Sequence, residues 1–207
     1  MTAGELRSRS RALAASIGLQ ISSHLPALDC DVEPRPTEEA VGRLLAMSGP
    51  ILMMYGMDGT RVQQWLWSER LIEHLTPSER HFVQGQGPRR VEFIYQGEGM
   101  WALAWALGLV VAMEHRSKCA DTFAEMFPDL RTGESSAAFR SKARMRQTQE
   151  LLQELDLLYC LHWAVREAER RKEGLPGGVV PFRIVERRRA LEWLMSGEEW
   201  DDVSMDT

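Results

Sequence analysis

The sequence predicts a mostly α-helical protein: a single compact multi-helix domain around a central buried helix at about residues 151–171, with at most short extended pieces. Three observations predict it. Residues 151–171 contain neither Gly nor Pro and are rich in strong helix formers. At about 100° per residue, Leu155, Leu157, Leu158, Tyr159, Cys160, Leu161, Trp163 and Val165 point in nearly every direction. A helix apolar all round belongs where other helices surround it. The rest of the chain repeats one-sided apolar patterns at helical spacing, and no strand–helix–strand alternation argues for a parallel sheet.

The elements follow in order. Residues 4–18 read as a helix with Leu6, Leu13 and Ile17 inward and Arg7, Arg9 and Arg11 toward solvent. Residues 19–35 have no clear period, contain Pro26 and Pro34, and form the longest expected loop. Pro36, Thr37, Glu38 and Glu39 open a second helix, since Pro suits the first turn and acids suit the dipole. Val41, Leu44, Leu45 and Ser48 line its buried stripe until Gly49-Pro50, where it is expected to stop. Residues 60–75 are amphipathic. Thr76-Pro77-Ser78-Glu79 combines a Thr cap, Pro at the first helical position and Glu at the third, the clearest local signal in the chain.

Pro88 begins the next expected helix, which leads into the apolar run 100–113. Gly97, Gly99 and Gly108 each cost about 1 kcal/mol against Ala inside a helix, and close approach of another backbone is the simplest reason for them. Residues 119–128 read as a short helix. The basic stretch 137–150 favours a helix leading into the central one. A final helix is expected at 183–195, with Ile184, Leu191 and Leu194 inward, before an acidic tail at 197–207.

Composition narrows the function classes. The 207 residues are 44% hydrophobic and 27% charged, an ordinary globular profile rather than a disordered one. A net charge of −5 argues against nucleic-acid binding, which leaves a basic footprint. The apolar run 100–113 is shorter than the ~20 residues a membrane span requires, so no membrane partner is expected. Cys30, Cys119 and Cys160 stand at no metal-like or redox spacing and read as reduced thiols of a cytoplasmic protein.

Polar residues inside the apolar stretches are the candidates for chemistry. Tyr159, His162 and Arg166 are three and four apart and share one face of the central helix. They would hold an anion or a general base, or else form a hydrogen-bonded seam that any buried polar groups require. Asp156, Cys160, Trp163 and Glu167 share another face. Cys160 and His162 lie about 200° apart around the helix, so they cannot form a nucleophile–base pair within it. The five histidines show no paired metal spacing, and neither a metal nor a cofactor is expected. Glu98, between two glycines, is the carboxylate most readily carried into the core on its side. The Glu186-Arg187-Arg188-Arg189 run reads as a phosphate contact or as a solvated helix face.

Three stretches together resemble a known family. They are 99–108 (GMWALAWALG), 156–166 (DLLYCLHWAVR) and 186–194 (ERRRALEWL), closing on Trp200-Asp201-Asp202-Val203 and a final Asp206-Thr207. This is similar to the uncharacterised bacterial family catalogued as domain of unknown function 4272, over most of the chain and most strongly in its second half. The resemblance implies one intact, mostly helical cytosolic domain. It implies no activity, so no catalytic residue is carried over. It does mark Glu98, Asp156, Tyr159, His162, Arg166, Glu186 and Arg187 as a candidate binding or polar-core cluster.

With no catalytic motif, an acidic tail and Trp67 and Trp193 as expected surface aromatics, the sequence favours a non-enzymatic protein-binding module. Its role would be that of an antagonist, immunity-like protein or adaptor, and a homo-oligomer is the further partner considered. A hydrolase-type enzyme or metal-binding protein with a polar pocket around His162 is the alternative.

Overall fold

A computed structural model describes residues 2–207. Among them are eight α-helices and no strand. They are α1 (Ala3–Ser16), α2 (Thr37–Met54), α3 (Gly59–Ser68), α4 (Pro77–Val83), α5 (Glu92–Ala106), α6 (Ala137–Arg140), α7 (Thr148–Arg171) and α8 (Pro181–Met195), with 3₁₀ turns at Ile72–His74 and Phe123–Met126. The mostly helical class is therefore as the sequence predicts. No helix is long and apolar enough to cross a membrane among the described residues.

The chain divides into two compact units. One comprises residues 2–34, 114–118 and 146–207, and the other 35–113 and 119–145.

In the first unit, α7 is the expected central post. Gln147 and Glu150 cap its start reciprocally, and Lys172 ends it in the left-handed region at φ 58°. Every residue from Leu157 to His162 is buried, because α1 and α8 both pack on this helix. Three expectations fail here. Leu13 does not turn inward but is 48% exposed. Arg7 does not face solvent but lies 7% exposed beside Ser10 and Ala14, which are fully buried on the same face. Trp193 is not a surface aromatic either: it is buried against Trp200 of the tail, ring centroids 5.7 Å apart.

In the second unit, α2 packs against α3, α4 and α5. It does not stop at Gly49-Pro50 but runs on to Met54 with Pro50 inside. Residues 40–50 are buried without a break, and packing on that scale outweighs the hydrogen bond that proline removes. Trp67, by contrast, is 76% exposed.

α5 starts at Glu92 rather than Pro88 and ends at Ala106. Gly108 adopts φ 67°, and a Cβ there would stand 3.0 Å from the Arg144 carbonyl. The Arg144 amide in turn donates to the Leu107 carbonyl at 2.8 Å. That bond holds the stretch after α6 out of helical geometry, so residues 137–147 are one short helix and an irregular link, and α7 begins only at Thr148.

Candidate functional site

α1, α7 and α8 carry a polar seam into the first unit. The Arg7 guanidinium grips Asp156, with Nε 3.1 Å and Nη2 2.8 Å from Oδ1. Its remaining donors reach the Leu25 and Pro26 carbonyls at 2.9 and 2.7 Å, tying down the loop after α1. Tyr159 lies between two guanidinium groups, 5.5 Å from Arg7 and 4.8 Å from Arg188, within the ~6 Å range of cation–π attraction.

Arg188 is 3% exposed. It donates to His162 Nδ1 at 2.7 Å, Glu192 Oε1 at 3.0 Å and the Asp206 carbonyl at 2.9 Å. A guanidinium only donates, so Nδ1 of His162 accepts and the ring proton sits on Nε2. Burial, and then Arg188, push the His162 pKa down to about 4. Burial and the Asp156 carboxylate push the Cys160 thiol up to about 12, which leaves it unreactive.

The sequence-derived candidates are therefore divided. Asp156, Tyr159 and His162 meet in one network. Arg166 stays exposed and pairs with Glu169 at 3.1 Å. Glu186 is half-buried, its pKa raised by burial, 3.9 Å from Arg189. Arg187 is fully buried, donating at 2.8 Å to the Glu114 and Ser117 carbonyls. Glu98 belongs to the second unit, where Oε1 accepts the Cys119 amide at 3.1 Å.

Arg7 and Arg188 are the members that sequence reasoning misses. A signal exists for each. Ser10 and Ala14 stand three and seven residues after Arg7, and Ile184 and Leu191 flank Arg188 at four and three, both inward spacings.

A second polar pair, also absent from the sequence reading, joins His115 to Glu154. Nε2 lies 3.3 Å from Oε1, in ion-pair range but off the line of a hydrogen bond, and His115 Nδ1 has no partner among the described residues. Burial raises the Glu154 carboxyl to about 8, and burial followed by Arg187 lowers His115 to about 4. Between those limits the pair keeps one proton and no net charge.

Neither polar group lines the main groove of its unit. A groove of about 870 Å³ lies between residues 18–23, residues 173–176 and the α7 face bearing Trp163, Glu167 and Arg171. Its lining is polar, and Glu167 is held at about pKa 2 by hydrogen bonds from Arg170 and Arg171. His162 does not line it.

The second unit contains a cavity with largely apolar walls. It encloses about 560 Å³, inside the ~300–1,000 Å³ range of binding pockets. Ile51, Leu52, Met57, Met100, Phe123, Phe127 and Leu130 make its walls. Glu125, Asp129, Arg131 and Glu134 stand among them. The aromatic side is rigid: Phe123 packs edge-on to both Trp101 and Phe127, centroids 5.0 and 5.2 Å away.

Gly97 lines the same cavity. It sits inside α5, and a Cβ there would meet nothing within 4 Å. No backbone approaches Gly97, contrary to the sequence expectation. What lies over the position is open volume.

The family described as "Domain of unknown function (DUF4272)" matches residues 6–203. No curated protein and no solved structure matches the chain.

Proposed function

The chain belongs to the DUF4272 family, and we propose that it is a non-enzymatic binding protein whose cavity between α2, α5 and the 123–134 segment takes an apolar group of a protein partner. One observation carries this reading. Gly97 costs α5 about 1 kcal/mol against Ala, and no neighbour requires its lack of a side chain. The feature that a side chain would take away is the cavity.

The wall chemistry supports the same reading. Met57 and Met100 adapt to different occupants, and Phe123 and Phe127 offer fixed surface. The exposed Trp67 and Tyr55, 76% and 72% accessible, supply further contact area on this unit. The hydrolase reading loses support because its central residue, His162, is engaged with Arg188 and lines none of these cavities. Absence of pairing-like cysteine spacing supports action in the cytoplasm.

The test uses two substitutions at one site. Gly97→Ala should stabilise the protein by about 1 kcal/mol in urea unfolding and, by placing a methyl group in the cavity, weaken capture. Gly97→Leu should keep the fold and occupy the cavity. Immobilised wild-type protein should then retain a specific partner that the Leu variant does not. Equal retention by the two would remove the cavity from the binding site.

A further inference from the structure

We infer that the occupant of this cavity is a peptide segment in which a bulky apolar side chain stands next to lysine or arginine. The inference rests on the binding reading above and adds the chemistry of the partner. It follows from the charges among the lining residues, three carboxylates against one guanidinium.

That guanidinium is already engaged. Arg131 donates to both Asp129 oxygens, at 2.8 and 2.9 Å. The neighbouring Arg61 guanidinium is held on the Arg131 carbonyl at 2.9 Å. Glu134 Oε2 accepts the Asp129 amide at 2.8 Å, which fixes its carboxylate in place. Glu125 is exposed on its 3₁₀ turn, with no ion pair of its own among the described residues. Glu125 and Glu134 are the lining carboxylates with no guanidinium bound to them among the described residues, which leaves their charge for an entering cation.

The wall beneath has the matching chemistry. Phe123 and Phe127 line the cavity, and an aromatic ring attracts an ammonium or guanidinium group that reaches its face. Carboxylates beside aromatic faces favour a cation, and the apolar floor favours a hydrophobic side chain. A peptide carrying both in adjacent positions satisfies both demands. An acidic peptide with the same anchor meets like charge at the rim, which lowers both its association rate and its affinity.

Two fluorescein-labelled peptides with a central Phe test this, one flanked by lysines and the other by glutamates. Anisotropy titration against the intact protein should show the lysine peptide binding about tenfold tighter or more at low salt, with the margin shrinking as salt rises. Glu125→Lys, a surface change, should narrow or reverse that preference. The neutral apolar dye N-phenyl-1-naphthylamine reports on the cavity itself, brightening with wild type and not with Gly97→Leu.

Equal binding of the two peptides would overturn the inference while dye uptake leaves the cavity reading in place. Dye uptake with neither peptide bound would overturn it too, pointing to a small apolar ligand. Failure of the dye as well would sink the binding reading from which the inference starts.

Discussion

His162 and Glu154 lie on the same helix and respond to pH in opposite directions. His162 falls from its ordinary value of 6.5 to about 4 in the folded state. Between those values the unfolded chain takes up a proton that the folded protein refuses. Stability is therefore lost as pH drops from about 6.5 toward 4, by roughly 3 kcal/mol in full. His115, lowered by burial to about 4, adds to the same limb. Glu154 runs the other way: its carboxyl rises from 4.5 to about 8, so the folded state keeps a proton that the unfolded chain gives up. Stability is lost as pH rises across that window. Urea midpoints measured from pH 4 to pH 9 should show both limbs. His162→Gln should shrink the acid limb to the share that His115 contributes, and Glu154→Gln should raise stability at pH 8 while changing little at pH 4.5. An alkaline limb that the Glu154→Gln substitution leaves unchanged would mean that Glu154 ionises normally. At this scale Asp156 and His162 are legible in the sequence as polar intrusions into an apolar helix. Their partners are not, because Arg7 lies 149 residues from Asp156 and nothing local links the two.

Among the elements, α4 shows both what short-range sequence reveals and where it stops. The cap read from Thr76-Pro77-Ser78-Glu79 is present: Thr76 Oγ1 accepts the Glu79 amide at 3.3 Å, and Glu79 Oε2 accepts the Thr76 amide at 2.9 Å. The same carboxylate is fully buried and also holds Arg43 of α2, with Nη2 2.8 Å from Oε1. One residue thus starts a helix and neutralises a buried guanidinium. The two roles separate by mutation. Thr76→Ala removes a cap and should cost about 1 kcal/mol. Glu79→Ala also strands Arg43, which is 2% exposed, and should cost about 3–5 kcal/mol. Comparable losses in urea unfolding would show that Glu79 acts only as a cap. Pro50 and the 137–150 segment teach the complementary lesson. Local rules end one helix too early and prolong another, because the deciding terms are the burial of α2 and the amide of Arg144 on Leu107, both set by distant chain.

Across the whole molecule, the chain visits its two units alternately, so each is assembled from separated stretches and neither is a continuous segment. The acidic tail is the clearest case of a terminal stretch with work inside its unit. By sequence, residues 197–207 read as a charged appendage that meets a partner. The charges are indeed outside, with Glu198, Glu199, Asp201 and Asp202 exposed. The residues between them are not: Trp200 and Val203 are buried, and the Met205 and Asp206 carbonyls accept from Arg188 at 3.3 and 2.9 Å. Removing the tail would leave a buried guanidinium short of acceptors and Trp193 without the ring it packs on. Deletion of residues 200–207 should therefore cost about 3 kcal/mol or more, and any loss of partner capture that followed would report unfolding. Glu199→Gln with Asp202→Asn takes two charges from the outer side alone and should shift stability by no more than about 0.5 kcal/mol. Thermal melting of the two proteins distinguishes a structural tail from a docking one. If the deletion melts like wild type and both proteins lose a partner, the tail acts at the surface. If the deletion melts early and the charge variant still binds, its part is to close the seam around Arg188.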